Sequence, residues 1–383
     1  MLPALVFSRG PLPASLTHTT DTEVKRNTTL KGSIVLLGLS AMSAAFGQAA
    51  PTVYGVIDTG IQRTDPKAGR SSEAATTTGI NGGIRGGSRF GLRGSEDLGG
   101  GVQALYAIEN GFAPDTGMAM QGGRLFGRQA YLGLASRAGT LVAGRIGTFS
   151  SGAGTFDKWG RIDPFRTVYG IAGLGSTMSS SASLRVDNAL AYVTPTIGGF
   201  SAGAAKSWRV DGAERAGGGS NNNEAIATFV NYSAGPLYAV ATFDRITLGE
   251  LAGAPSQQHL QLGVAYDLKW VQLSAAYARE DDQRVLQSTA QQAAGADAQA
   301  WLLGVVAPFG AHRLMGSYQQ RTVDATPTSA EGKRRVLSVG YEYSLSKRTV
   351  LYAAVADLTD RDAVKTATSG GSRQFSAGLN HSF

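Results

Sequence analysis

Arg89 and Arg93 stand four residues apart in the stretch RFGLRGS, residues 89–95. Side chains of a β-strand alternate between faces, so Phe90, Leu92 and Gly94 share one side while Arg89, Gly91, Arg93 and Ser95 share the other. An arginine stays charged at any physiological pH. Two on one face make a fixed positive strip, suited to steering anions and not to moving protons. A second concentration of charge lies at Asp157, Lys158, Arg161, Asp163, Arg166 and Arg185, interleaved with Phe149, Phe156, Trp159, Phe165 and Tyr169. Other chemistry finds no support. His18, His259, His312 and His381 are scattered without ligand spacing, so no metal site is expected. The chain has no cysteine, which removes disulfides and thiolate ligands. The glycine runs at 82–87 and 217–219 do not lead from a strand into a helix, as a phosphate-binding loop requires. The acids at 281–282 and 360–362 fall in segments expected to be solvated loops. Arginines and lysines do not cluster with interleaved aromatics, so no nucleic-acid partner is expected. No cofactor and no enzyme activity follow.

The elements that must carry these charges are strands. In the last ten residues Phe375, Ala377, Leu379, His381 and Phe383 alternate with Gln374, Ser376, Gly378, Asn380 and Ser382. Leu260, Leu262, Val264, Tyr266 and Leu268 alternate with His259, Gln261, Gly263, Ala265 and Asp267. Val271, Leu273, Ala275 and Tyr277 do so with Gln272, Ser274, Ala276 and Ala278, and Leu337, Val339, Tyr341 and Tyr343 with Ser338, Gly340, Glu342 and Ser344. A helix cannot produce this period of two. Short turns fall at 97–101, 137–139, 196–199, 234–236, 267–269, 308–311 and 345–347. Long polar connections fall at 65–84, 113–124, 149–186, 210–223, 247–257, 281–297, 324–333 and 359–371. The rhythm predicts an all-β fold: a 16-stranded antiparallel transmembrane β-barrel, with short periplasmic turns at one end and long outer loops at the other. A soluble β-sandwich or β-helix is the rival, but sixteen strands in one hairpin series are many for one soluble domain.

Composition agrees. Of 383 residues 52 are glycine and 16% are charged, with a mean hydropathy of −0.08. No apolar run reaches the length of about 20 residues that a membrane helix needs. Alternating strands dilute apolar residues with polar ones, so a barrel looks compositionally soluble. Lys25, Arg26 and Lys31 precede an apolar run from Ile34 to about Phe46 and small residues at Gly47, Ala49 and Ala50, the pattern of a secretory signal. We therefore expect a signal peptide over 1–47, with cleavage after Gly47 or Ala49, and a barrel over 48–383. Residues 1–23 read as an upstream extension, with Val24 the true start. Removing 1–47 takes away Arg9, Lys25, Arg26, Lys31, Asp21 and Glu23, which leaves a net charge of about +5.

Residues 54–58 (YGVID), 88–100 (SRFGLRGSEDLGG), 126–134 (FGRQAYLGL), 139–144 with Arg145, and the closing GLNHSF resemble the general, non-specific porins of Gram-negative bacteria, most closely the β-proteobacterial branch. The resemblance spans essentially the whole mature chain. It implies a homotrimer of sixteen-stranded barrels in the outer membrane, each with its own water-filled pore, and a third long loop, here about 149–186, folded inward to narrow the channel. The length of that loop and its five aromatics argue the same way, since long loops are usually functional. Arg128 matches a lumenal arginine of the family motif, Arg185 resembles another, and Phe383 resembles the signal read by the outer-membrane assembly machinery.

The expected selectivity site is a basic wall of Arg89, Arg93, Arg128 and Arg185 facing Asp157 and Asp163 on the loop, with Asp58 lining the lumen. The loop carries Asp163-Pro164-Phe165 where the family often has Pro-Glu-Phe-Gly-Gly, which leaves open which acid faces the pore. The expected function is passive diffusion of small hydrophilic solutes and ions with mild anion preference, in contact with outer-membrane lipid and lipopolysaccharide. The alternatives are a substrate-specific porin, with an aromatic slide or dedicated binding site in its pore, and a β-barrel adhesin.

Overall fold

The computed structural model describes residues 50–67, 75–166, 169–178, 185–216, 222–250, 255–283, 295–325, 331–362 and 371–383. The expected signal segment 1–47 and the glycine run 217–219 lie outside the described residues.

Seventeen strands are described, all in one sheet: β1 Thr52–Pro66, β2 Thr77–Gly82, β3 Arg89–Gly99, β4 Val102–Gly111, β5 Gln129–Ser136, β6 Gly139–Gly147, β7 Arg185–Val193, β8 Phe200–Ser207, β9 Asn223–Ala234, β10 Leu237–Leu248, β11 Gln257–Asp267, β12 Gln272–Gln283, β13 Ala296–Phe309, β14 His312–Val323, β15 Gly332–Ser344, β16 Thr349–Asp362 and β17 Ser372–Ser382. From β3 onward each strand pairs antiparallel with the next, and β17 returns to pair with β1. The sheet is a closed barrel without edges, the arrangement that leaves no backbone polar group unpaired in lipid.

The expected sixteen strands are sixteen staves here, because the second stave is divided. β2 pairs with Thr59–Thr64 of β1, whereas β3 pairs with its first residues, Thr52 to Val56. Between them residues 83–88 leave the wall and turn inward. Gly83 takes a φ of +72°, open to glycine without strain, and Ile84 behind it is buried.

Burial follows the alternation. On β11 Leu260, Leu262, Val264 and Tyr266 are exposed on the outside, while His259, Gln261 and Ala265 are buried inside. On β17 Phe375 and Leu379 point out, as does Phe383 just after it, and Gln374, Ser376 and Asn380 point in. Val271 departs from the expected face: it belongs to the turn between β11 and β12, where it is buried. A belt of exposed Leu, Val, Ile and aromatic side chains runs around the barrel, and a continuous apolar surface of this size needs lipid against it. Tyr192, Phe200, Tyr266, Trp270, Phe309 and Phe383 are exposed toward the short-turn end, as an interfacial aromatic girdle requires.

Candidate functional site

The connection between β6 and β7, described over 148–166 and 169–178, lies inside the barrel. Its apolar side chains pack in succession along the inner wall. Phe149 and Phe156 join Val142, Val186, Phe229 and Ile246. Trp159, Ile162, Leu174 and Met178 join Val240, Ala265, Ala278 and Leu302. Phe165 and Tyr169 join Ile84, Met315, Val336 and Tyr352. Inward positions on that wall are small where the loop lies closest. A Cβ at Gly263 would stand 2.8 Å from the Trp159 ring, one at Gly304 2.6 Å from Pro164, and one at Gly340 2.7 Å from Phe165. Those glycines open a furrow for the loop.

Polar clamps complete the attachment, and each arginine in them has a carboxylate partner. Arg321 bonds both oxygens of Glu280 and donates to the Thr177 carbonyl at 2.9 Å. Arg334 bonds Asp360 and the Ser176 carbonyl. Arg313 pairs with Glu342 and donates to the Pro164 carbonyl at 2.9 Å. Glu342 also takes a bidentate pair from Arg85 of the inward 83–88 segment and the Tyr169 hydroxyl at 2.6 Å. Burial, reinforced by the Glu342 charge, pushes the Tyr169 phenol up, so it remains a donor at physiological pH. The 83–88 segment and the loop are therefore tied to each other, the Tyr169 N–H donating to the Ile84 carbonyl at 2.6 Å.

The wall from β3 to β7, which the loop covers only in part through Phe149, Thr155 and Phe156, carries the charge that faces the channel. Arg128 donates to Glu109 at 2.6 Å, and Arg89 lies 3.5 Å from the same carboxylate. Arg185 lies within electrostatic reach of Arg128, Arg145, Glu109 and Arg89, and its Nε is buried without a hydrogen-bond partner among the described residues. Arg93 makes no ion pair among the described residues and stacks 4.9 Å above the Tyr54 ring. Arg145 is held by Asp187. Arg89, Arg128 and Arg185 thus gather around one carboxylate, Glu109, with Arg93 beside them over the Tyr54 ring.

The structure brings the four expected arginines to one wall, with Phe90 and Leu92 facing out as the alternation requires. Two of the acids lie elsewhere than expected. Asp163 is buried at 1% exposure and accepts the backbone N–H groups of Phe165 and Leu174 at 2.9 and 2.7 Å, so it shapes the loop and does not face the channel. Asp58 points inward but does not line the lumen. At 0% exposure it accepts from the Ile84 backbone, the Tyr352 hydroxyl and the Asn380 amide, sealed beneath the 83–88 segment. Asp157 is exposed on the loop, in a cavity of about 350 Å³ shared with Lys158 and Arg161. Its charge is balanced locally. The missed acid is Glu109, in the alternating segment of β4; its inward phase was readable, but its arginine partners come from three other strands or loops. A cavity of about 760 Å³ runs beside this wall, lined among others by Tyr54, Arg89, Arg93, Glu109, Arg128 and Phe156.

A closed barrel with an apolar outer belt, a charged interior and a loop laid against its inner wall is the architecture of an outer-membrane channel. The chain belongs to the Gram-negative porin family, whose profile matches residues 32–363. An outer membrane porin protein of Bordetella pertussis is 35% identical over 366 residues, covering 85% of this chain and 92% of the relative. Outer membrane porin protein 32 of Delftia acidovorans is 30% identical and covers 87% of this chain and 90% of its own. Among solved structures, the anion-selective porin from Comamonas acidovorans superposes with a TM-score of 0.70 at 24% identity, over 87% of this chain and 99% of that one. The protein is an outer-membrane porin, and its staves cross that membrane.

Proposed function

We propose that the chain is a passive diffusion channel with a preference for anions, working as a homotrimer and without catalytic activity. The carrying observation is the arginine wall: Arg89, Arg128 and Arg185 share one carboxylate, Glu109, and Arg93 stands beside them with no ion pair among the described residues. The loop does not offset that surplus, because Asp163 is buried and Asp157 sits beside Lys158 and Arg161. Fixed charge at a constriction acts before bulk water and salt screen it, since the screening length is about 8 Å at physiological ionic strength. The porin of Comamonas acidovorans is anion-selective, which points the same way. In this reading the short turns face the periplasm, the long loops meet lipopolysaccharide, and Phe383 is the signal for the assembly machinery. Single-channel recording of purified protein in planar bilayers tests the reading. Ohmic conductance arriving in groups of three equal steps supports an open trimer, and absence of conductance sinks it.

A further inference from the structure

The cavity beside the arginine wall has a feature that a channel for simple ions does not need. The Arg93 guanidinium carbon lies over the Tyr54 ring, 4.9 Å from its centroid, and the Tyr54 hydroxyl donates to Glu109 at 3.0 Å, which fixes the ring in place. Tyr131 and Phe156 also line it, their ring centroids 6.4 Å apart and their planes tilted by 33°. Tyr131 is tethered through its hydroxyl to Thr155 at 2.9 Å, and Phe156 is anchored in the core under the loop. At about 760 Å³ the space falls in the range of small-molecule sites, where apolar surface supplies contact and a few polar groups set orientation. The polar groups here are guanidinium forks, which match a carboxylate in geometry as well as charge.

We propose that this cavity is a saturable subsite for aromatic monocarboxylates, the carboxylate held by Arg93 and Arg89 and the ring lodged against Tyr131 and Phe156. The proposal rests on the channel reading above and adds a substrate class to it. Arg93 is suited to the role because no carboxylate of the described residues already occupies it, and the cation–π contact with Tyr54 holds its guanidinium without neutralising it.

The test is titration of potassium benzoate, acetate and cyclohexanecarboxylate against chloride conductance of single trimers. Benzoate should lower the conductance saturably, with a half-maximal concentration roughly fivefold below that of acetate or cyclohexanecarboxylate. In Tyr131→Leu, which keeps every charge on the wall, the benzoate advantage should disappear. Equal responses to benzoate and acetate in a conducting channel would overturn the subsite and leave the channel standing. A cyclohexanecarboxylate response matching that of benzoate would overturn the aromatic assignment, and so would a benzoate advantage that survives in Tyr131→Leu. Absence of conductance would overturn the channel and the subsite together.

Discussion

Arginines of one chain serve opposite purposes according to what stands opposite them. Arg313, Arg321 and Arg334 each have a carboxylate and a loop carbonyl, so they hold structure. Arg185 has no carboxylate to itself among the described residues, and in the proposed channel it contributes charge. Replacing Arg185 with alanine should therefore lower the anion-to-cation permeability ratio roughly twofold, the effect of a unit charge about 8 Å from a passing ion in water. A reversal potential measured in a salt gradient gives that ratio directly; an unchanged value would remove Arg185 from the selectivity wall. Asp163→Ala should act on the loop and not on selectivity. Two buried N–H groups lose their acceptor, at about 1–3 kcal/mol each, so thermal stability falls and current noise rises while the sign of selectivity holds. These two residues also show where reading the chain stops. The strand phase of Arg89 and Arg93 was legible from Phe90 and Leu92 alone. Asp163 and Asp58 are expected at the channel and lie elsewhere, because whether an acid faces water or backbone N–H groups depends on partners such as Leu174 and Asn380, distant in sequence. Glu109 was overlooked for the same reason.

Strand rhythm, turn positions and the inward loop were all readable, since period-two alternation and loop length are local properties. The divided second stave was not. Its cause is the glycine-rich run 82–87, which reads as an ordinary flexible loop until Ile84 and Arg85 are seen against Tyr169 and Glu342. The glycine furrow was equally hidden, because Gly263, Gly304 and Gly340 look like dilution of a strand rather than room for Trp159, Pro164 and Phe165. The furrow predicts a specific failure. Gly263→Leu would drive a side chain into Trp159 and Ile162, an overpacking of about 1–3 kcal/mol that the loop relieves by lifting from the wall. Larger and noisier single-channel conductance, with the barrel still folded by circular dichroism, is the expected outcome. Wild-type conductance would show that the loop position does not depend on the furrow.

Closure of the whole barrel rests on β1 and β17, paired from Val56 with Ser382 to Pro66 with Ser372. The last residue extends that seam: Phe383 and Gly55 exchange backbone hydrogen bonds at 3.1 Å, and the Phe383 ring covers Gly55 on the outside. Deleting Phe383 should accordingly reduce the yield of heat-modifiable trimers in the outer membrane, with unchanged conductance in those that form. Altered conductance with normal yield would contradict a role in assembly. Above the seam and the loop, the molecule works in our proposal as a channel whose β3 to β7 wall carries more positive charge than negative. The most direct measurement is the zero-current potential of the wild-type trimer across a potassium chloride gradient. The sign for chloride passing more readily than potassium is predicted, moving toward zero in the Arg89→Ala, Arg128→Ala double variant. A potential of the potassium-selective sign in the wild type would contradict the account.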